Sequence, residues 1–302
     1  MPDPLVGIVT VTYNSAGVIG PFLASLEGQT YTNFRLYAVD NDSQDGTVEL
    51  ASSERIRIVT IANETNVGVA DGNNQGIEAA LEDGCGFVLL VNNDTEFGPE
   101  LVETLVREAE LLDADMIVPK IMLSAERNLI WCAGGFFNRK RGYSGEHYGL
   151  GQPDTGQFNL RRRIDYAPTC CMLVRREVFT AIGLIDWKYF AYFDDTDFCY
   201  RASRCGMRCW YTPATVLYHK VSSLSGGGEG AFFIRYNTRN HVYFLLKNFG
   251  VKGAMFLPAY QALILTKWLT GTYTARSFRV AERAFWEGIR LFWVRRESEH
   301  AV

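Results

Sequence analysis

Short apolar runs alternate with amphipathic stretches through roughly the first 125 residues of the chain. Apolar runs of this kind predict strands, whereas apolar residues that recur every three or four positions predict helices. Strands are predicted at residues 6–12, 34–39, 57–62, 87–91 and 116–123. Helices are predicted after Asn14 and Ser15, which can cap the helix start, near Gly46, at 70–82 and at 99–112. Because such alternation produces parallel sheets with right-handed crossovers, we expect an α/β fold whose strands end along one edge.

The pattern is less regular in the second half of the chain. Residues 138–163 are rich in Gly and Arg and predict a long loop, either a lid or a binding element. The three consecutive arginines at its end, Arg161, Arg162 and Arg163, favour either a phosphate clamp or a solvated charged run. Residues 226–302 begin with three glycines, which predict a linker, and continue with predicted helices at 232–249 and 276–296.

Composition adds constraints on compartment and partners. The 302 residues are 47% hydrophobic, as in an ordinary globular protein, and the seven cysteines have no metal-ligand spacing, which favours reduced, buried thiols. No signal peptide is evident at the first residues, and the apolar stretch at 254–269 is short for a membrane span, so we expect a cytoplasmic protein. Residues 1–230 carry 19 basic and 30 acidic side chains, whereas 231–302 carry 11 and 4. This split predicts a cation site in the first part and an anionic surface as partner of the second.

Polar residues follow the predicted strands where ligands bind in open α/β sheets. Asp94 follows the apolar run at 87–91, and its oxygens suit a divalent cation that carries phosphates, although a plain turn also explains it. Asp40 follows the second strand and is suited to a nucleobase or ribose, whereas Asp42 beside it is equally explained as a helix-capping turn. The glycines of residues 66–74 favour the approach of an anionic ligand to a helix start.

A second group of carboxylates lies at Asp194, Asp195 and Asp197. Acidic residues are common at a helix start, but crowding beside aromatic residues also raises a carboxyl pKa, which suits a general base. His219 ends the predicted strand at 210–219, where it is either a hydrogen-bonded structural residue or a ligand.

Seven motifs in order resemble the family-2 glycosyltransferases with the GT-A fold, especially the bacterial rhamnosyltransferase-like branch. They are TVTYNS, VDNDSQDGT, NVGVADGNNQGI, LLVNNDTE, CMLVRREVF, LIDWKYFAYFDDTDFCYR and YTPATVLYHKVSS, and they cover about residues 5–225. The resemblance implies a GT-A catalytic domain at 1–225, with a nucleotide-sugar half at 1–125 and an acceptor half at 126–225, followed by a helical extension at 226–302.

The resemblance also implies roles for individual residues. Asp195 matches the catalytic base, with Asp194 as the first member of the acidic pair, and Asp94 and His219 match ligands of Mg2+ or Mn2+. The predicted nucleotide-sugar site comprises Thr12, Tyr13, Asn14, Asp40, Asp42, Asn66, Gly68, Asn73, Asn74, Asn92 and Asn93. Two departures are notable, because Asn92 replaces the first acid of the family's Asp-X-Asp motif, and Thr169-Cys170 stands where relatives often have Gly-Ala.

These features predict an inverting glycosyltransferase that moves rhamnose from dTDP-rhamnose, or a hexose from a UDP-sugar, to a hydroxyl of a glycan or lipid-linked glycan. A polyprenyl-phosphate sugar transferase and a catalytically silent nucleotide-sugar-binding subunit are the alternatives. We expect no nucleic-acid partner. The basic C-terminal helix, with Trp286 and Trp293, predicts either peripheral contact with the inner face of the membrane or packing within the protein or a homo-oligomer.

Overall fold

A central sheet of ten strands carries the first of two structural units in the computed structural model, which describes residues 3–51, 55–221 and 230–294. The first unit comprises residues 1–138 and 143–224, and the second comprises residues 139–142 and 225–302. The predicted glycine linker at Gly226–Gly228 and the predicted helix end at Arg296 lie outside the described residues.

The strands and helices have the following bounds. The strands are β1 (Val6–Thr12), β2 (Phe34–Asp40), β3 (Ile58–Ala62), β4 (Phe87–Val91), β5 (Thr95–Phe97), β6 (Met116–Leu123), β7 (Ile130–Cys132), β8 (Gly135–Asn138), β9 (Ser144–His147), β10 (Arg162–Ile164), β11 (Cys171–Arg175) and β12 (Cys209–His219). The helices are α1 (Ile19–Glu27), α2 (Thr47–Leu50), α3 (Gly68–Glu82), α4 (Leu101–Leu111), α5 (Arg176–Ile182), α6 (Asp194–Arg204), α7 (Ala231–Phe249), α8 (Val251–Ala254), α9 (Leu257–Leu269) and α10 (Ala275–Trp293).

The strand order across the sheet is β10-β12-β6-β11-β4-β1-β2-β3. Strands β4, β1, β2 and β3 run parallel, as predicted, so that their carboxyl ends share one edge. Strand β11 runs antiparallel between β4 and β6, while β12 is parallel to β6 and antiparallel to β5. All five side chains of β4 are buried, which explains its uninterrupted apolar sequence.

Two local predictions were wrong. Helix α1 begins at Ile19 without a side-chain cap, because the Ser15 hydroxyl accepts a hydrogen bond from Tyr13 N and Ser15 N donates to Thr47 Oγ1. Residues 138–163 are not a long loop throughout, since β8 and β9 pair as an antiparallel hairpin and β10 joins the sheet.

The predicted arginine run is not uniformly solvated, because Arg161 and Arg162 have partners within the protein. Arg161 donates two hydrogen bonds to the buried carboxylate of Glu108, and the ring of Tyr148 lies 5.2 Å from the Arg162 guanidinium. Arg162 pairs with Tyr211 near the start of β12, whereas His219 stands at the other end of that strand. These arginines therefore hold the segment around β10 against the sheet and its flanking helix.

The second unit is helical and has a small apolar core. Ile234, Val242, Ile264, Ala281 and Phe285 are its buried members. Phe285 and Ala281 belong to the apolar face of α10, so this face packs inward rather than outward. In the described parts of the chain, no helix is both long enough and apolar enough to cross a bilayer.

Candidate active site

The pairing of β12 with β5 brings Asp94 and His219 together although they are far apart in sequence. His219 lies opposite Thr95 in the register, and Lys220 N donates to Asp94 O at 3.0 Å. The side chains consequently meet, with His219 Nε2 at 3.2 Å from Asp94 Oδ1, and both are largely buried.

This carboxylate–imidazole pair fits a divalent cation. Oxygen and imidazole nitrogen are ligands that Mn2+ and related cations accept. His219 Nδ1 is buried without a hydrogen-bond partner within the described ranges. No cluster of three or more His, Cys, Asp or Glu side chains is present among the described residues, so a cation here would need further oxygens from a ligand or water.

The two asparagines of the LLVNNDTE motif, Asn92 and Asn93, have different environments. Asn93 is buried, and its side chain donates to Val11 O at 2.7 Å, which ties the turn to β1. Asn92 is exposed, and its backbone N donates to Cys170 O at 3.0 Å. Asn92 is thus the asparagine of this turn whose side chain is accessible to a ligand.

Asp40 is held firmly at the end of β2. Its Oδ1 accepts hydrogen bonds from the hydroxyls of Thr12, at 2.7 Å, and Ser43, at 2.6 Å, while its Oδ2 accepts from Ser43 N at 2.9 Å. A carboxylate can accept about four hydrogen bonds. Asp40 accepts these three, so Oδ2 can accept one more. Thr12 therefore orients Asp40, whereas Tyr13 beside it is 44% exposed.

Asn14 and Asp42 lie in the turns that follow the neighbouring strands β1 and β2. Both are exposed and adopt a positive φ, of 48° and 62° respectively. Asn14 Oδ1 accepts from Gln44 N at 2.8 Å, and Asp42 Oδ1 accepts from Gln44 Nε2 at 2.7 Å. The Asn14 bond closes the 40–47 turn onto the turn after β1, whereas the Asp42 bond lies within the 40–47 turn.

The start of α3 is built by a network of side-chain amides. Asn66 Oδ1 accepts from Gly68 N at 2.9 Å, and Asn41 Nδ2 donates to Gly68 O at 3.1 Å. Gly68 has a φ of 88°, and a Cβ there would lie 2.6 Å from the Phe190 carbonyl oxygen. The sequence analysis missed Asn41, whose position directly after Asp40 was its only signal.

Asn73 and Asn74 are both buried within α3. Asn74 exchanges two hydrogen bonds with the backbone of Ile185, donating to its carbonyl at 2.7 Å and accepting from its N–H at 3.0 Å. The structure therefore gives Asn74 the role of anchoring the segment that leads to the acidic pair. Asn73 lies one residue away on the same helix.

The acidic pair opens α6 from a constrained turn. Phe190, Tyr192 and Phe193 all have a positive φ, between 55° and 66°, which is unusual for residues with bulky side chains. Burial, and then the charge of Asp195, raises the pKa of Asp194. Burial also raises the pKa of Asp195, although hydrogen bonds from Tyr166 and Thr196 oppose that effect. Raised carboxyl pKa values beside a polar cleft are typical of a catalytic acid or base.

Cys170 is buried and is influenced by both groups of acids. Burial raises the pKa of its thiol, and the charges of Asp94 and Asp195 both add to that increase. The two carboxylates therefore act on the same thiol. All seven cysteines lie within the described residues and are free thiols, six of them buried, in agreement with the prediction.

Sequence reasoning also missed Tyr166, whose hydroxyl donates to Asp195 Oδ2 at 2.9 Å. No periodicity or motif marks this tyrosine, because its contact with α6 arises only from the tertiary fold.

The carboxylates and amides of this sheet edge lie where open α/β sheets bind their ligands. The sequence profile of glycosyl transferase family 2 matches residues 7–183, more than half of the chain. The chain therefore belongs to glycosyl transferase family 2.

Two relatives illustrate the similarity in sequence. A Mycobacterium tuberculosis protein named N-acetylglucosaminyl-diphospho-decaprenol L-rhamnosyltransferase is 27% identical over 237 residues, which cover 72% of this chain and 76% of that protein. An uncharacterized Sinorhizobium fredii protein is 27% identical over 238 residues, which cover 74% of this chain but only 25% of that protein.

Solved structures share the fold. S. aureus TarS in complex with UDP-GlcNAc has a TM-score of 0.59 and 16% identity, and the match covers 95% of this chain and 81% of that chain. The mannosyltransferase PcManGT from Pyrobaculum calidifontis, in complex with GDP-Man and Mn2+, has a TM-score of 0.57 and 13% identity over 96% of this chain and 87% of that chain. The predicted fold class, a mostly parallel GT-A sheet with flanking helices and C-terminal helices, is confirmed.

Proposed function

We propose that this protein is an inverting, metal-dependent glycosyltransferase that transfers a sugar from a nucleotide diphosphate to an acceptor hydroxyl. The observation that carries the proposal is that side-chain contacts connect the Asp94–His219 pair to the Asp194–Asp195 pair. His219 packs against Trp131, Trp131 against His147 and His147 against Tyr166, whose hydroxyl donates to Asp195 Oδ2. One pair suits the diphosphate and the other suits a proton acceptor, and the reaction requires both.

The donor lies along the carboxyl edge of the sheet in this proposal. Asp40 receives the nucleoside with its remaining acceptor position, while Tyr13 and Asn92 offer exposed side chains nearer the cleft. A divalent cation bound by Asp94 and His219 would offset the negative charge that the leaving diphosphate develops. Thr12, Asn66, Gly68, Asn73 and Asn74 shape this edge from behind.

Asp195 acts as the general base. It removes the proton of the acceptor hydroxyl as that oxygen attacks the anomeric carbon and the diphosphate leaves. A single displacement inverts the anomeric configuration, and no covalent nucleophile is needed. Asp194, whose pKa is raised by burial and by Asp195, stays protonated to a higher pH than an ordinary aspartate and limits the charge around the base.

The donor sugar is rhamnose from dTDP-rhamnose, with UDP-hexoses as the second choice. The named activity of the mycobacterial relative supports rhamnose and a lipid-linked acceptor. TarS in complex with UDP-GlcNAc supports a UDP-sugar, although at 16% identity it shows only the fold.

Calorimetric titration of nucleotides tests the donor assignment. We expect dTDP or UDP to bind with Mn2+ present and about tenfold or more weakly without it, because the cation joins the diphosphate to Asp94 and His219. GDP serves as the comparison nucleotide. Failure of all three nucleotides to bind to folded protein would contradict the proposed donor site.

The second unit supports peripheral contact with an anionic membrane. The exposed face of α10 consists of arginines and tryptophans that recur at helical spacing. They are Arg279, Arg283, Trp286, Arg290 and Trp293. Helix α9 is also unusually exposed for its composition, with Leu263, Leu265, Trp268 and Leu269 all at least 42% accessible. Exposed tryptophans next to arginines suit the boundary between headgroups and acyl chains. This face differs from the apolar face that the sequence suggested, which packs inward.

Vesicle binding tests this surface. The full-length protein should bind vesicles that contain phosphatidylglycerol and bind phosphatidylcholine vesicles weakly, with the difference decreasing as salt rises. Exchanging Trp286 and Trp293 together for serine should weaken binding about tenfold or more, since both indoles lose their burial in lipid. Leu160→Ser removes an equally exposed apolar side chain from the first unit and should change nothing. Equal binding by all three proteins would exclude this surface.

A further inference from the structure

We propose that Tyr166 is a positioning residue that fixes the orientation of the Asp195 carboxylate through the hydrogen bond from its hydroxyl. The inference rests on the proposed function, in which Asp195 is the base. Tyr166 lies in the segment between β10 and β11, outside every motif that carried the family resemblance.

Each oxygen of the Asp195 carboxylate has its own donor. The Tyr166 hydroxyl donates to Oδ2 at 2.9 Å, and Thr196 donates to Oδ1 from its backbone N at 2.6 Å and from its hydroxyl at 3.1 Å. Thr196 is the next residue of the same helix, so its bonds follow Asp195 wherever α6 moves. Tyr166 is therefore the donor that ties the carboxylate to a different part of the fold.

The ring of Tyr166 is held tightly by the β8–β9 hairpin. It is 5% exposed and stacks on the ring of His147, with 5.8 Å between centroids and 19° between planes. Gly145 lies directly against it, and a Cβ at that position would lie 2.5 Å from Tyr166 Cζ. A side chain at residue 145 would push the hydroxyl-bearing end of the ring, so glycine is needed for this contact.

His147 of the hairpin is also connected to the Asp94–His219 pair through Trp131 of β7. The Trp131 indole makes edge-on contacts with the rings of His147 and His219, with 4.6 Å between ring centroids in each contact. His147 Nδ1 also lies 3.1 Å from Trp131 O, and burial lowers the pKa of this histidine to about 4, so the ring is neutral near pH 7. Successive ring contacts through Trp131 and His147 thus connect His219, beside Asp94, to Tyr166, beside Asp195.

Few ionisable groups besides Asp194 act on Asp195 near neutral pH. Cys132, Cys170 and Cys199 also face it, but burial raises the pKa of all three thiols, so they remain neutral. Burial likewise raises the pKa of Tyr166 well above its usual value, which keeps its hydroxyl a donor. A donor to a carboxylate stabilises the charged form, so removal of this hydroxyl should raise the pKa of Asp195.

The proposal is tested without any substrate by carbon-13 NMR of the full-length protein with labelled aspartate carboxyls. The Asp195 signal is assigned by its disappearance in Asp195→Asn. In Tyr166→Phe, which keeps the ring, its titration should move upward by about one pH unit. Tyr211→Phe is the matched control, because Tyr211 is also buried and its hydroxyl donates to Phe158 O, away from the acidic pair. Unchanged Asp195 titration in Tyr166→Phe would overturn the proposal.

A second variant reaches the same contact from the hairpin. Gly145→Ala keeps the hydroxyl but displaces it, so we expect an upward shift smaller than that of Tyr166→Phe. Gly20→Ala is the control, since nothing lies within 4 Å of a Cβ at that position. No shift in Gly145→Ala, with the protein folded, would contradict the claim that the hairpin positions the base.

Transferase assays then separate this inference from the function on which it rests. The acid limb of the kcat/KM profile of Tyr166→Phe should move to higher pH, since the base is active only when ionised. If Asp195→Asn is inactive and Tyr166→Phe keeps the wild-type profile, the positioning role fails while the base assignment stands. If Asp195→Asn remains active, the base assignment itself fails, whatever the NMR titration shows.

Discussion

Asp195→Asn should lower kcat by about 10²- to 10⁴-fold, the range that a positioned general base usually contributes. Asparagine has the same shape and keeps an oxygen that accepts from Tyr166 or Thr196, but it cannot take up a proton at neutral pH. Donor affinity should change little, because Asp195 acts on the acceptor hydroxyl and not on the nucleotide. The measurement is steady-state kinetics alongside a calorimetric Kd for the nucleotide.

Asp113→Asn is the matched control for this loss. Asp113 is an exposed aspartate that pairs with Arg208 near the start of β12, away from the cleft, so its variant should keep normal turnover. If Asp195→Asn also keeps near-normal turnover, a polyprenyl-phosphate sugar transferase becomes the better reading. In that reaction the attacking phosphate oxygen is already ionised and needs no base.

Replacing Asp94 with asparagine should lower kcat/KM by about 10²- to 10³-fold, through weaker stabilisation of the leaving diphosphate. The amide keeps the size of the side chain but removes the charge beside His219. Because Asn92 already replaces the first acid of the motif, no neighbouring carboxylate of that turn substitutes for Asp94. Mn2+ should therefore strengthen nucleotide binding much less in this variant than in the wild type.

Titration of Mn2+ by electron paramagnetic resonance, with and without dTDP or UDP, measures this effect directly. Asp113→Asn again gives the background for loss of one carboxylate. Wild-type Mn2+ binding by Asp94→Asn would remove the cation from the Asp94–His219 pair and would leave only the base assignment intact.

The parallel half of the fold was predictable because its signal is local. Strand β4 is buried on both faces and therefore reads as five apolar residues in succession, and β6 was placed with its observed bounds. The strand ends follow from topology, so Asp40 and Asp94 were placed at the same edge of the sheet. Element starts were less certain, as α1 shows, because Ser15 has tertiary partners that compete with capping.

The contacts of the second half were less predictable. The hairpin of β8 and β9 lies in a Gly-rich segment without alternating hydrophobicity. Gly135 and Gly145 are needed there because a Cβ at either position would collide with Tyr166, and not because the segment must be flexible. The motif predicts that Asn74 contacts the ligand, but it does not predict the two hydrogen bonds that the Asn74 amide exchanges with Ile185. The hydroxyl of Tyr166 reaches Asp195 through a contact that no spacing in the sequence encodes.

The position of β11 in the sheet has a consequence for synthesis on the ribosome. Strands β4 and β6 emerge early, yet β11 must insert between them, and β12 must then pair with β5 to bring His219 to Asp94. Residues 1–125 contain neither β11 nor β12, so the facing edges of β4 and β6 have no partner until these strands are made. We therefore expect that residues 1–125 do not fold alone into the observed sheet, and Asp94 and His219 meet only after almost the whole first unit has been translated.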